Sequence, residues 1–135
     1  MLRTLILLML TGCSSGFAPH YNLNRDIYVN HTYMTDMRKH GMSDVWELDC
    51  NVGDCEDMSL CLMQRIGRTS SLVVCENSQG GHAIVKDGGW YYDPTHGTST
   101  QSIPCKHVFT LDYNTAMGLV GTTSGAQRAA ILGKM

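Results

Sequence analysis

The stretch of sequence that decides the fold is "NVGDCEDMSLCLMQ", residues 51–64. Asp54 is a natural helix N-cap, and Asp57 stands three residues later, where the acid of a capping box belongs. The positions that follow are apolar around most of a helical circumference: Met58, Leu60, Cys61, Leu62, Met63 and Ile66. We therefore predict a helix that starts at Asp54, is buried on most sides and ends at Gly67.

The same stretch surrounds one cysteine, Cys55, with the carboxylates of Asp54, Glu56 and Asp57. Negative charge nearby raises the pKa of a thiol, and an un-ionised thiol is a poor nucleophile. A helix N-terminus has the opposite effect, because its partial positive charge and unpaired N–H groups favour a thiolate. The local sequence is therefore compatible with both a reactive Cys55 and an inert one.

Strand patterns follow this helix. Three short segments rich in β-forming residues occupy positions 71–76, 81–87 and 89–95, with glycine-containing turns between them. An Asp-Gly pair between the second and third segments is a strong hairpin signal. A fourth strand is predicted for residues 106–113.

Upstream, apolar residues recur at helical spacing from Asn22 to His40, which predicts one helix, whole or broken, before a stop at Gly41. Residues 41–53 are predicted as a loop. Helix and strand signals together indicate the α+β class, in which the central helix that carries Cys55 packs on a small antiparallel sheet.

Size and charge restrict the function classes. The chain has 135 residues, enough for one domain and one core. Its net charge is -2, so bulk electrostatics does not recruit nucleic acid, and we expect no nucleic-acid partner.

The N-terminus has the pattern of a targeting segment. Arg3 precedes a short apolar run, which ends in "LTGC" at Cys13, and this resembles a bacterial lipoprotein signal with its lipobox. The resemblance implies a signal peptide over residues 1–12, lipid on Cys13 and a membrane anchor. Ser14 after the cysteine resembles signals sorted to the outer membrane, so we expect the protein on the periplasmic face of that membrane. A plain secretory signal and a buried N-terminal helix are the alternatives.

These boundaries predict four segments. A tether over residues 13–21 follows the signal peptide, and the globular domain spans residues 22–113. A small, Gly-rich tail over residues 114–135 has no assigned role and contains one short predicted helix, residues 126–132.

Export changes the interpretation of the cysteines. With Cys13 lipidated, five of the six cysteines remain, an odd number that leaves at least one thiol unpaired in an oxidising compartment. Cys55 is our candidate for the free thiol. The other four, Cys50, Cys61, Cys75 and Cys105, could form two disulfides of undetermined pairing or be small buried residues. Their spacing does not favour a zinc finger.

Three residues suggest covalent chemistry. Cys55 lies at a helix start, His82 opens one predicted strand, and Asp93 closes the next. If those strands form a hairpin, the histidine and the acid lie near the same end of it, an arrangement typical of a nucleophile, a base and an orienting acid. Isolated Cys, His and Asp residues are also common by chance. His96 is an alternative base, although the histidines show no consistent ligand spacing.

Several motifs carry a resemblance to a known family. "GDCED" before an apolar helix, followed by "GHAIV" and "WYYDPT", resembles the transglutaminase-like (papain-like) superfamily, and especially the bacterial transglutaminase-like cysteine peptidases. The resemblance covers roughly residues 22–96. It implies Cys55 as nucleophile, His82 as general base and Asp93 as the residue that orients His82.

The implied activity is that of a hydrolase, a cysteine peptidase or amidase that acts on a protein or peptide by acyl transfer. The chemistry requires no cofactor. Transglutaminase-type crosslinking is one alternative, and a non-catalytic binding lipoprotein with the same fold is the other.

The resemblance also suggests accessory groups. Trp46 is a candidate oxyanion donor beside the backbone N–H of Cys55. Some relatives bind calcium through acids next to the nucleophile, which points to Asp54 and Glu56 here. The loop after Trp46 is shorter than usual in the family and lacks a "P-x-E" element, which allows Cys50 to approach Cys55 and form an inactivating disulfide.

Overall fold

The computed structural model describes residues 17–41 and 45–122, which form an α+β fold. In chain order the elements are α1 (Tyr21–Asn30), β1 (Thr32–Tyr33), α2 (Asp36–His40), β2 (Val52–Gly53), α3 (Cys55–Ile66), β3 (Ser71–Asn77), β4 (Gly80–Asp87), β5 (Trp90–Asp93), β6 (Thr98–Thr100), β7 (Lys106–Asp112) and α4 (Tyr113–Gly118). The predicted α+β class is therefore confirmed.

The main sheet contains five antiparallel strands in the order β6-β5-β4-β3-β7. Helix α3 packs across β3 and β4, where the Ser59 hydroxyl donates a 3.1 Å hydrogen bond to the Ala83 carbonyl. Leu60, Leu62, Leu72 and Val85 are fully buried and belong to one apolar cluster. The core therefore lies directly behind the helix that carries Cys55.

Helix α3 has the predicted boundaries. Asp54 and Asp57 form a reciprocal capping box, in which each side chain accepts from the backbone N–H of the other residue. The helix ends at Gly67, whose N–H donates to the carbonyl of Met63. Its interior is buried on most sides, as the apolar pattern predicted.

The helix predicted from Asn22 to His40 is broken. Helix α1 ends at Asn30, and Thr32–Tyr33 instead pairs in parallel with Val52–Gly53. A new, short helix α2 begins after Thr35, whose hydroxyl accepts a hydrogen bond from the N–H of Arg38. The tertiary pairing of β1 with β2 therefore overrides the helical periodicity, and the predicted loop over residues 41–53 ends in a strand.

The chain end combines predicted and unpredicted features. Strands β3, β4, β5 and β7 lie where the sequence placed strands, whereas β6 was missed. The predicted tail begins with helix α4, whose Ala116 is fully buried in the core. The short helix predicted for residues 126–132, and Cys13 with the predicted signal peptide, lie outside the described residues.

Two disulfides pair four of the cysteines. Cys50 is bonded to Cys61, and Cys75 to Cys105, while Cys55 is unpaired among the described residues. The prediction that Cys55 is the free thiol is therefore confirmed for the described residues. The suggested approach of Cys50 to Cys55 was wrong, because Cys50 is held by Cys61 on the next turns of α3.

Within the described part of the chain, no helix is both long enough and apolar enough to cross a membrane.

The backbone of Gly53 lies in close contact with the Asp57 side chain at the start of α3. A Cβ atom at this position would lie 2.5 Å from Oδ2 and 2.7 Å from Cβ of Asp57. We expect Gly53→Ala to disrupt the capping box and to lower the free energy of unfolding by about 1–3 kcal/mol. Urea unfolding followed by circular dichroism measures this difference.

The matched control is Gly118→Ala at the end of α4, where an added Cβ meets nothing within 4 Å. We expect a change within about 0.5 kcal/mol for this control. Equal stability of the two variants would show that the approach of Gly53 to Asp57 does not constrain α3.

Candidate active site

Cys55 is the first residue of α3 and is only 6% exposed. Its sulfur is held by two neighbours. The thiol donates to Oε2 of Glu56 at 3.5 Å, and the backbone N–H of Ala83 in β4 hydrogen-bonds to the sulfur. The helix start and strand β4 therefore meet at the thiol.

His82 and Asp93 form a direct pair across the neighbouring strands β4 and β5. Nε2 of His82 lies 2.6 Å from Oδ2 of Asp93, and their side chains are 12% and 9% exposed. No described residue hydrogen-bonds to Nδ1 of His82. The predicted contact between His82 and Asp93 is therefore present, whereas their roles as general base and orienting acid stay predictions.

The link between Cys55 and His82 is indirect. His82 directly precedes Ala83, whose N–H contacts the sulfur, yet the thiol itself donates to Glu56. Catalytic hydrogen bonds are often absent or long before substrate binds. The structure thus links Cys55 to the residue that follows His82, and no sulfur–imidazole hydrogen bond joins Cys55 to His82 among the described residues.

A network of donors holds Asp93 ionised. Burial raises the pKa of this carboxyl, but hydrogen bonds from His82 and Thr95 outweigh burial and hold the pKa at about 2. Thr95 donates from its N–H at 3.0 Å and its hydroxyl at 2.6 Å, both to Oδ1. Asp93 is therefore a fixed negative charge against the His82 ring.

His96, considered above as an alternative base, contacts the same acid. Its Nδ1 lies 2.9 Å from Oδ2 of Asp93, and its side chain is 63% exposed. The rings of His82 and His96 meet edge to face, with centroids 5.6 Å apart. Asp93 therefore has two histidine partners, an arrangement that the spacing of the histidines did not suggest.

The electrostatic surroundings oppose ionisation of Cys55. Burial raises its pKa well above the usual value, and the carboxylates of Glu56 and Asp54 raise it further. The Ala83 N–H lowers it only in part. Burial and the neighbouring acids together therefore favour the neutral form of the thiol in this structure.

The acids next to Cys55 form a cluster with a third member that sequence analysis missed. Asp36, Asp54 and Glu56 each place a carboxylate oxygen within 4.8 Å of the others. Asp36 is 4% exposed, and neither of its side-chain oxygens has a hydrogen-bond partner among the described residues. Burial, together with the neighbouring Asp54, raises its pKa to about 6. Asp36 lies 18 residues before Asp54 in the sequence, so spacing along the chain did not point to it.

The capping acids are protonated more easily than exposed ones. Burial and the Glu56 carboxyl raise the pKa of Asp54 to about 7. Burial and the Asp54 charge raise that of Asp57 to about 7 as well. Asp57 also accepts from the N–H of Glu47, which ties the preceding loop to the helix start. The helix start therefore holds several carboxyl groups whose ionised forms are not fully stabilised by hydrogen bonds.

A cleft of about 370 Å³ opens beside these groups. Its lining includes Tyr33, Gln79, His82 and His96. Burial and the nearby charge of Cys55 raise the pKa of Tyr33 to about 12, so its hydroxyl stays protonated. The cleft therefore reaches from the surroundings of the thiol to both histidines.

Trp46 lies in the core rather than on the cleft wall. It is 4% exposed, and its backbone groups pair with Gly121 and Thr122. It belongs to the same apolar cluster as Cys55. Its suggested role as an oxyanion donor stays a prediction.

No family model, no curated protein and no solved structure matches the chain. The family resemblance is therefore carried by the quoted motifs alone.

The unpartnered Asp36 predicts a pH-dependent stability. Folding raises the pKa of Asp36 from 3.8 to about 6, so its ionised form opposes folding increasingly as the pH rises through this window. In chelator, we expect Asp36→Asn to be more stable than the parent by about 1–2 kcal/mol at pH 8 and equally stable near pH 4. Urea unfolding at both pH values measures the difference.

The matched control is Glu76→Gln, which neutralises an exposed carboxylate on β3. We expect no pH-dependent gain from it. A gain for Asp36→Asn that is the same at both pH values would mean that ionisation of Asp36 does not oppose folding.

Proposed function

We propose that the protein is an exported cysteine peptidase or amidase with a transglutaminase-like core, which cleaves a protein or peptide substrate by acyl transfer. The single observation that carries the proposal is the 2.6 Å contact between Nε2 of His82 and the ionised Asp93. Cys55, the unpaired cysteine of the described residues, is the first residue of α3, and the N–H of Ala83, the residue after His82, contacts its sulfur. These contacts support the assignment of a base, an orienting acid and a nucleophile, the three groups that acyl transfer needs.

In the proposed mechanism, Asp93 accepts a hydrogen bond from the N–H at Nε2 of His82. The lone pair of the ring is then on Nδ1 and is free to act as a base. Nδ1 takes the proton of the Cys55 thiol as the sulfur attacks the substrate carbonyl carbon. The resulting oxyanion accepts a hydrogen bond from the backbone N–H of Cys55, one of the unpaired donors at the start of α3.

His82 then gives its proton to the departing amine as the carbon–nitrogen bond breaks, and a thioester remains on Cys55. Water, deprotonated by His82, attacks this thioester, and the acid product leaves while the thiol recovers its proton. Hydrolysis is preferred to crosslinking because the family resemblance is to peptidases.

This mechanism requires the Cys55 thiol to lose its proton, whereas its surroundings favour the neutral thiol. We propose that a bound calcium ion resolves this conflict. Asp36, Asp54 and Glu56 supply only carboxylate oxygens, the ligands that calcium prefers. The orphaned, buried oxygens of Asp36 fit such an ion because they lack any other described partner. When bound, the ion would supply positive charge that neutralises the acids and lowers the pKa of the thiol.

We further propose that the chain is anchored in the cell envelope through lipid on Cys13. Support comes from the lipobox-like "LTGC" and from the cysteine pattern, because two disulfides and one free thiol suit an oxidising compartment.

Thiol labelling tests the enzyme without knowledge of the substrate. We expect iodoacetamide to label Cys55 of the native, full-length protein at neutral pH. His82→Asn should slow the labelling about tenfold or more, because the base that ionises the thiol is lost. Peptide mass spectrometry assigns the label to Cys55 and separates it from Cys13.

The matched control is His107→Asn, which replaces an exposed histidine on β7 whose side chain, within the described part of the chain, bonds to Thr110 alone. We expect parental labelling from it. A Cys55 that reacts only after denaturation, or equally fast in both variants, would leave a non-catalytic binding protein as the better interpretation.

Calcium should accelerate the same reaction. We expect added Ca²⁺ to raise the labelling rate of Cys55 several-fold over chelator and to raise the melting temperature. Asp36→Asn should weaken both responses, whereas Glu76→Gln should retain them, because Glu76 is exposed and is not a member of the cluster. If chelator changes neither labelling nor melting temperature, the carboxylates serve only as helix caps.

A further inference from the structure

A second group of potential metal ligands, separate from the acidic cluster, lies on strands β4 and β5 and on the turn that follows β5. His82, Asp93 and His96 each offer one ligand atom, and these atoms lie within 4.8 Å of one another. Nε2 of His82 and Nδ1 of His96 both point at the same oxygen, Oδ2 of Asp93, at 2.6 and 2.9 Å. Two imidazole nitrogens therefore share one carboxylate oxygen as their partner.

This donor set differs in kind from that of Asp36, Asp54 and Glu56. Two histidines and one carboxylate suit zinc and related first-row ions, whereas all-carboxylate clusters suit calcium. The two clusters therefore select different metals on the basis of ligand chemistry.

The surroundings of the group also suit a metal. Thr95 donates both its N–H and its hydroxyl to Oδ1 of Asp93, which orients the carboxylate and leaves Oδ2 towards the two rings. The group borders the 370 Å³ cleft, and His96 is 63% exposed, so an ion has access and room for a water as fourth ligand.

We propose that His82, Asp93 and His96 form a reversible Zn²⁺ site that switches off Cys55. The inhibitory role rests on the proposed function, whereas zinc binding itself rests on the geometry of the three side chains.

The inhibition follows from the chemistry of the His82 ring. Zinc takes the lone pair of Nε2, and the proton that Nε2 carried moves to Nδ1. Nδ1 is then an N–H donor and no longer accepts the proton of the Cys55 thiol. At the same time, the Asp93 carboxylate is a ligand of the zinc ion. His96 binds through Nδ1 and carries its proton on Nε2, so no proton is lost from either neutral ring.

Titration calorimetry of the untagged, full-length protein with ZnCl₂ tests binding directly. All proteins carry Cys13→Ser, which removes an unrelated thiol, and contain excess Ca²⁺ to occupy the acidic cluster. We expect one zinc per chain for the parent. His96→Asn should weaken binding about tenfold or more, because the amide can still donate to Asp93 but is a poor zinc ligand.

The matched control is His107→Asn, outside the cleft, for which we expect parental affinity. Substitution of Co²⁺ for zinc provides a second measurement, since visible d–d bands report tetrahedral coordination. These bands should be weakened in His96→Asn. Zinc should also slow iodoacetamide labelling of Cys55 in the parent and do so much less in His96→Asn.

Equal zinc affinity of the parent and His96→Asn would overturn the site. Zinc binding that needs His96 but leaves the labelling of Cys55 unchanged would overturn the inhibitory role. Failure of the proposed enzyme has a different signature, because Cys55 would then resist labelling in the native state even without zinc.

Discussion

The start of helix α3 is the constraint on which the rest of the structure depends. Asp54 and Asp57 cap the helix reciprocally, and Gly53 packs so closely on Asp57 that a side chain would collide with it. The capped helix start fixes the position of Cys55, which follows Asp54, against strand β4. It also joins the short β1–β2 pair to the buried helix, so the site and the core share one anchor.

The same acids create the main electrostatic conflict of the site. Carboxylates that stabilise the helix start also raise the pKa of the Cys55 thiol, because burial leaves their charge poorly screened. On the other side, Asp93 is stabilised as an anion by His82, Thr95 and His96. The site thus combines Asp93, whose charge is stabilised by hydrogen bonds, with an acidic cluster that disfavours the Cys55 thiolate and contains the unpartnered Asp36. A cation in this cluster, as proposed above, would offset its charge.

Local signals predicted much of the fold, and the failures have a common cause. Capping residues and apolar periodicity placed α3 to within one residue, and the glycine-containing turns placed β3, β4 and β5. The predicted helix from Asn22 to His40 was broken because Thr32–Tyr33 pairs with a segment about twenty residues away. Strand β6 was missed for the same reason, since its three residues are held by pairing with β5 rather than by their own pattern.

The sequence by itself determined the residues of the candidate triad, the capped helix and the choice of Cys55 as the free thiol, because each depends on residue type and on spacing along the chain. Only the tertiary structure decided that Cys50 pairs with Cys61, that Asp36 joins the acids beside Cys55, and that His96 shares Asp93 with His82. These contacts join segments whose separation is set by packing of the helix on the sheet. No local pattern encodes such distances, whereas the folded core imposes them.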